Sequence, residues 1–568
     1  MSLWQTRLRW REITRSRRPA ELKVALLATF TVNPLVPYLG VALEEQGLPA
    51  DLWVGPYDQV VQELTSAESD TARFRPRVVV VWLRLEELWR GRPLPLRDGP
   101  SRSVEEAVGI ADAVAEGAKQ LGADLIFVLP AIPELRPLGM GDACNPDGVF
   151  AVASAVREAL RHRLASQPGV LLVDAEEAIR RLGDVHSYNP RTQALAHIPF
   201  SEELFHQLGG RLGRLITLGR RSAKKVIVTD ADKTLWGGIV GEDGPDGIDL
   251  GDNGPGEAHR DYQSFLLEMR RAGALLALCS KNEEADVWHV FARREMQLRK
   301  EHLAAWRIGW QPKSQMIREI AEELQLGPSS FVFIDDNPAE IAEVKSVLPE
   351  VECILMPEEP ADWHAAVCAS GVLDRLPPTA EDLERPAFYE QERTRSEIFK
   401  RASSPDEYLA QLGVAASIFP PAPADLSRLA QMIAKTNQFN LNCQRRSEAE
   451  LASLCGDERF IVRLIDAQDR FGKYGVVGAF IVDLGSSSPV LDTFLLSCRA
   501  MGRGLEEAMI ASIFEEVARN DHLAVHATVR ECPRNQPARQ FFARLGCEAS
   551  GVTSPLKRLD WPPHLARL

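Results

Sequence analysis

The chain has 568 residues, 45% hydrophobic and 26% charged, which excludes a mainly disordered, collagen-like or coiled-coil protein. At roughly 100–200 residues per domain, the length predicts about three domains. Lys+Arg 66 against Asp+Glu 80 leaves a net charge of −14, a poor match to nucleic acid, and no apolar run is long enough to span a membrane, so neither is expected as a partner.

The first residues, MSLWQTRLRWREITRSRRP, are basic, and an apolar stretch follows from Leu22. The basic lead is too long for a signal peptide, and Asn33 and Pro34 interrupt the apolar part, so this stretch reads as a first strand. Strands are predicted over 22–30, 77–83 and 124–130, with helices over 103–122 and near 151–164. Short apolar strands alternating with long helices predict a parallel α/β sheet. A second such pattern opens at 224–230 and continues through a helix near 257–272, strand 274–280, a helix near 313–325 and strand 330–336.

Prolines and charges in LDRLPPTAEDLERPAFYE read as a linker. Consecutive strands then follow at 460–466, 474–485 and in PVLDTFLLSC, before a Gly/Arg-rich turn and two helices separated by a strand, an α+β order. The expected division is an α/β domain over 1–218, an α/β domain over 219–375, a linker over 376–390 and an α+β domain over 391–568. The 9 cysteines are scattered, without C-x-x-C or a Cys/His cluster, as in a cytoplasmic protein with reduced thiols.

The strongest chemical signal is VIVTDADKTLWGG. A strand ends at Asp230, and Asp232 and Thr234 follow at two-residue spacing, so extended geometry sends both carboxylates to one side. Ligand crevices in open α/β sheets lie at these carboxyl ends. Carboxylates crowded there call for a divalent cation. A second acidic strand end carries Asp335 and Asp336, Ser280 ends another strand, and Lys313 opens a helix. The stretch from 233 to 274 holds a Gly-rich flap and one helix, which leaves no room for a cap domain and predicts an open site.

These four motifs resemble those of the haloacid-dehalogenase-like phosphotransferase superfamily. The resemblance implies Asp230 as nucleophile, Asp232 as general acid/base, and Thr234, Ser280, Lys281 and Lys313 around the phosphate. It also implies Mg2+ held by Asp230, the Asp232 carbonyl and Asp336, with Asp335 behind them.

Four phrases, DKTLWGGIVGEDG, CSKNEEADV, FIDDNPAEIAEV and KTNQFNLNCQRRS, resemble more narrowly the FkbH-like glyceryl transferase/phosphatases. That resemblance implies loading of a three-carbon unit from 1,3-bisphosphoglycerate onto the phosphopantetheine thiol of an acyl carrier protein, for polyketide-type assembly. Lys233 stands where that family usually has Asn, and Asn442 and Cys443 stand where it usually has Thr-Thr. Lys233 places positive charge beside the phosphate site. A thiol relay is implied, with Cys498 and Cys279 both candidates and direct transfer the third course.

Arg499, Gly502, Arg503 and Gly504 lie between a strand and a helix, and with the later N…FFARLG they resemble a GCN5-related N-acetyltransferase fold, whose splayed strands admit a pantetheine arm. Arg445 and Arg446 join Arg499 and Arg503 as a possible basic dock for an acidic carrier. The first domain resembles an SGNH hydrolase whose nucleophile block reads Ala28 to Asn33, with no Ser, and whose Asp/His pair is echoed by Asp184 and His186. It is expected to dock or scaffold rather than hydrolyse. Rival readings are a small-molecule phosphatase, a carrier-docking scaffold and a coenzyme-A-dependent N-acetyltransferase.

Overall fold

A computed structural model describes residues 2–16, 20–89, 99–134, 136–220, 224–251, 253–293, 295–378, 380–436, 438–444, 446, 448–485, 488–497, 500–532, 535–548 and 551–568. The chain forms two compact units, Met1–Lys224 with His364–Pro377, and Lys225–Trp363 with Pro378–Leu568. Three sheets run through them, giving three α/β domains. Among the described residues no helix is long and apolar enough to cross a membrane.

The first sheet joins β1 (Leu22–Ala28), β2 (Ala50–Val54), β3 (Val78–Trp82), β4 (Asp124–Leu129) and β5 (Val170–Asp174), all parallel, in the order β2-β1-β3-β4-β5. Alternation along β1 divides its side chains between two cores. Leu22, Val24, Leu26 and Ala28 enter one, and Ala25 and Leu27 the other. Helices therefore cover both faces, as buried parallel sheets require.

The second sheet joins β6 (Val226–Thr229), β7 (Leu275–Ser280), β8 (Leu303–Ile308), β9 (Phe331–Asp335) and β10 (Glu352–Leu355), parallel throughout, in the order β10-β9-β6-β7-β8. β6 lies at the centre, and its carboxyl end stands between those of β7 and β9. Among the described residues, 233–274 carries only a turn-rich flap, a helical turn Val240–Asp243 and the helix Pro255–Arg271, so no cap domain is inserted.

The third sheet joins β11 (Ala415–Phe419), β12 (Phe460–Asp469), β13 (Gly472–Asp483), β14 (Val490–Leu496), β15 (His526–Thr528), β16 (Thr553–Pro555) and β17 (Ala566–Arg567). The order is β16-β15-β14-β13-β12-β11-β17, antiparallel from β11 to β14 and parallel between β14 and β15. The helix Leu505–Arg519 packs Leu505, Met509, Ile513 and Val517 into its core.

The segment expected to be a linker begins the 22-residue helix Ala380–Arg401, with Pro386 inside it. Three of its arginines look solvent-seeking in sequence but reach acceptors within the protein. Arg385 donates to Gly273 O and Arg393 to Leu303 O, both at 2.8 Å. Arg395, fully buried, grips Asp469 with Nε and Nη2 at 2.7 and 2.9 Å.

Candidate active site

Thr229 is the last residue of β6, but the parallel pairing runs one residue further, with the Asp230 amide donating to Ile334 O at 3.0 Å. That bond sets Asp230 beside Asp335 at the end of β9. Oxygen atoms of Asp230, Asp335 and Asp336 lie within 4.8 Å of one another. Lys313 opens the helix Lys313–Glu323 and points its ammonium into this group, 2.9 Å from Asp230 Oδ1 and 2.5 Å from Asp335 Oδ2. Lys313 is 2% exposed and Asp335 0%, so this pairing is made out of water, where an uncompensated charge is costly.

The electrostatics follow from that burial. Burial alone would lower the Lys313 ammonium, but the Asp230 and Asp335 charges outweigh it and raise it, so it stays charged. Burial and the Asp230 charge push Asp335 up to about 7. The same two causes raise Asp336. The contact between Lys313 and Asp230 Oδ1 lacks hydrogen-bond alignment, so that buried oxygen has no hydrogen-bond donor. Three carboxylates facing one ammonium, with such an oxygen among them, are a donor set suited to a hard divalent cation.

The loop after Asp230 turns away from strand geometry at once. Lys233 has φ 53°, and its amide donates to Gly238 O at 3.1 Å. The turn brings Asp232 against its own flap, where Oδ1 accepts from Trp236 Nε1 at 2.9 Å and from the Val240 amide at 3.0 Å. Its Oδ2 accepts from Asn282 Nδ2 at 2.9 Å. The Thr234 hydroxyl lies 3.5 Å from Asp336 Oδ1, and its carbonyl faces His259 Nδ1 at 3.0 Å. Burial lowers the His259 imidazole.

β7 divides its last two residues between opposite faces. Ser280 is buried at the site and accepts from Asn282 Nδ2 at 3.0 Å. Asn282 thus ties the serine to Asp232. The sequence reading passed over it, although its place two residues after a strand-terminal Ser was the available signal. Cys279 points the other way into the apolar core, where it is fully buried, and burial pushes its thiol up. A thiol without access or ready ionisation does not suit the relay role, which corrects the reading of Cys279 as a catalytic candidate. Lys281 is also placed differently from the expectation. Its ammonium meets Glu340 Oε1 at 2.6 Å rather than standing unengaged for phosphate.

In the third domain Cys498 and Arg499, like Arg445, lie outside the described residues. The other residues expected to hold pantetheine are engaged within the chain. The Gly502 amide donates to Glu506 Oε1 at 2.7 Å, and Arg503 grips both Glu392 oxygens at 2.9 and 3.0 Å. Gly504, with φ 82°, packs so closely on His564 that a Cβ there would meet its ring at 2.6 Å. Arg446 pairs with Asp492 at 2.7 Å. The edge of β14 is filled as well, since Leu441 N donates to Phe494 O at 2.9 Å and Leu496 N to Phe439 O at 3.0 Å. In the first domain the block after β1 buries Phe30 against Trp82 and Phe200, and Asp184 and His186 fall in one exposed helical turn. No hydrolase dyad is assembled there among the described residues.

No protein-family model matches the chain, and no curated protein matches it. Among solved structures, the N-terminal part of the protein BF1531 from Bacteroides fragilis, which contains a phosphatase domain and is complexed with Mg, matches at TM-score 0.58 and 23% identity, over 65% of this chain and 98% of that one. A G-D-S-L family lipolytic protein from Desulfitobacterium hafniense matches at TM-score 0.24 and 16% identity, over 34% and 99% of the two chains. A ribosomal-protein alanine N-acetyltransferase from Escherichia coli matches at TM-score 0.19 and 17% identity, over 23% and 76%. The chain shares the fold of the Bacteroides fragilis phosphatase-containing protein over the matched part.

Proposed function

We propose that the second domain is a Mg2+-dependent phosphotransferase of the haloacid-dehalogenase-like type. The observation that carries this is the convergence of Asp230, Asp335, Asp336 and Lys313 at the carboxyl ends of adjacent strands. The Mg2+ complex of the similarly folded Bacteroides fragilis protein supports it. Asp230, Asp336 and the Asp232 carbonyl would hold the ion, which would screen the phosphoryl oxygens from the carboxylates.

An oxygen of the Asp230 carboxylate attacks phosphorus, and the bond from phosphorus to the ester oxygen breaks. Asp232, as the acid, gives its proton to that leaving oxygen. Asp232, now the base, takes a proton from the water that attacks phosphorus and releases the carboxylate of Asp230 with inorganic phosphate. Lys313 and Ser280 offset charge on the transferring group. Asn282 orients Asp232 toward this work, through its shared donation to Ser280.

The substrate proposed is a phosphorylated three-carbon acid whose acyl group, drawn from 1,3-bisphosphoglycerate, ends on the phosphopantetheine thiol of an acyl carrier protein in the cytoplasm. The four sequence phrases shared with FkbH-like proteins support this, and so does an uncapped site able to meet a group presented on another protein. The engaged Gly502, Arg503 and β14 edge count against a pantetheine arm seated in the third domain, whether of coenzyme A or of a carrier, so the carrier's thiol would be met at the uncapped site. Incubation with 1,3-bisphosphoglycerate, Mg2+ and a pantetheinylated carrier, read by intact mass, tests the proposal. A glyceryl adduct on the carrier is expected. Phosphate release with no adduct would leave a small-molecule phosphatase.

A further inference from the structure

The helix Pro255–Arg271 carries three buried polar side chains, His259, Tyr262 and Gln263, whose spacing puts them on one face. All three serve main-chain carbonyls of the strand end and turn that hold Asp230. His259 Nδ1 meets Thr234 O at 3.0 Å, and because a carbonyl only accepts, Nδ1 carries the proton. Gln263 Nε2 donates to Leu235 O at 2.7 Å. Tyr262 works through a neighbour. The Thr229 hydroxyl donates its one proton to Asp230 O at 3.0 Å, so the Tyr262 hydroxyl, 3.1 Å from Thr229 Oγ1, is the donor between them.

The consequence falls on Asp230. Its amide is held by Ile334 O and its carbonyl by Thr229, which leaves only its side-chain torsions free. Its carboxylate faces those of Asp335 and Asp336, and like charges at that range press it out of line. Burial raises the Tyr262 phenol, so the proton it donates stays in place. Trp363 meets both rings at steep angles, with centroids 4.7 Å from His259 and 5.7 Å from Tyr262, and fixes their planes. Phe, Val and Leu at 262, 229 and 259 would fill the same space but withdraw these donors from the Asp230 and Thr234 carbonyls.

We propose that Tyr262, Thr229 and His259 are positioning residues of the phosphoryl site, setting the Asp230 backbone and the Thr234 turn so that the carboxylate is aimed before the ester arrives. The inference rests on the phosphotransferase reading of this site. None of the three touches the reacting atoms. Their effect is on the alignment of the attacking oxygen, where small displacements act strongly on rate.

The test uses the intact protein with Mg2+ and two esters, 3-phosphoglycerate and para-nitrophenyl phosphate. The second has a leaving group that needs no proton from Asp232, so it reads the attack by Asp230 alone. Rapid quench gives the rate constant for phosphorylation of Asp230 at saturating ester, and the ester concentration that half-saturates it. In Y262F and in T229V the rate constant is expected to fall about tenfold or more with both esters, while half-saturation shifts by less than about twofold. T229S, which keeps the hydroxyl, is expected to restore the rate. H259L is expected to lose rate in the same way, and H259N, whose amide nitrogen reaches where Nδ1 does, to keep it. Y262F/T229V should fall no further than T229V, since the two hydroxyls act as one chain. Urea midpoints establish that each variant is folded at the assay temperature, so a merely structural role would leave the rate constant of the folded protein unmoved. Phosphorylation within about twofold of the unaltered protein in folded Y262F and T229V overturns the inference and leaves the phosphotransferase intact. So does a fall with 3-phosphoglycerate alone, which would place the effect at Asp232. No phosphorylation of the unaltered protein by either ester overturns the reading of the site, and this inference with it.

Discussion

Lys313 shows what a single side chain does in this site. Its ammonium is enclosed with two carboxylates, and removing it strands both of them out of water. Lys313→Met is therefore expected to cost about 3–5 kcal/mol of folding stability, as when one partner of a buried ion pair is removed. Denaturant midpoints measured without metal check this, and a change below about 1 kcal/mol would show that the pair is not buried as described. Asp230, Asp232, Ser280, Lys313 and the Asp335–Asp336 pair were legible in sequence because charged and hydroxyl residues at strand ends have few other uses in that pattern. Trp236 and the roles of Asn282 and Glu340 as partners were not, since those contacts depend on how the flap and the neighbouring helix fold back. Cys279 lies where strand alternation sends it, on the face opposite Ser280, and no twist of the strand end brings it to the site.

At the scale of elements, the central strands were readable as apolar runs, because parallel strands buried on both faces carry little polar alternation. β2, β5, β8, β10, β11 and the short β16 and β17 escaped the reading. β5 is only partly buried, β8 follows a helix with no apolar run before it, and β10 is short and half-exposed. The helix Ala380–Arg401 escaped because Arg385, Arg393 and Arg395 bind carbonyls and Asp469 rather than solvent. The start of the helix Leu505–Arg519 carries its own test. Burial raises Glu506 to about 7 from an ordinary 4.5, while its Oε1 accepts from the Gly502 amide. Between those values the folded protein holds a proton that the unfolded chain has lost, so this group lowers stability as pH rises through the window. Glu506→Gln removes the titration and keeps an acceptor. Against wild type, the variant is expected to gain on the order of 2–3 kcal/mol on going from about pH 4 to about pH 8. Urea midpoints at the two pH values decide it, and an unchanged difference would place Glu506 in contact with water.

At the scale of the whole molecule, one chain joins the acidic and basic groups gathered at the carboxyl ends of the second sheet to two further sheet domains. Phe30 lies where a hydrolase nucleophile block was expected, and Phe439–Leu441 occupy the edge of β14 where a pantetheine arm was expected. On the proposed reading the chemistry centres on the second sheet. The most direct measurement is rapid quench of the intact protein with Mg2+ and 3-phosphoglycerate, followed by mass analysis of the peptide that spans Asp230. The account predicts one acid-stable, hydroxylamine-labile phosphoryl group on Asp230, absent in Asp230→Asn and in chelator. Turnover with no phosphoryl group on that peptide, or turnover undiminished in Asp230→Asn, would contradict it.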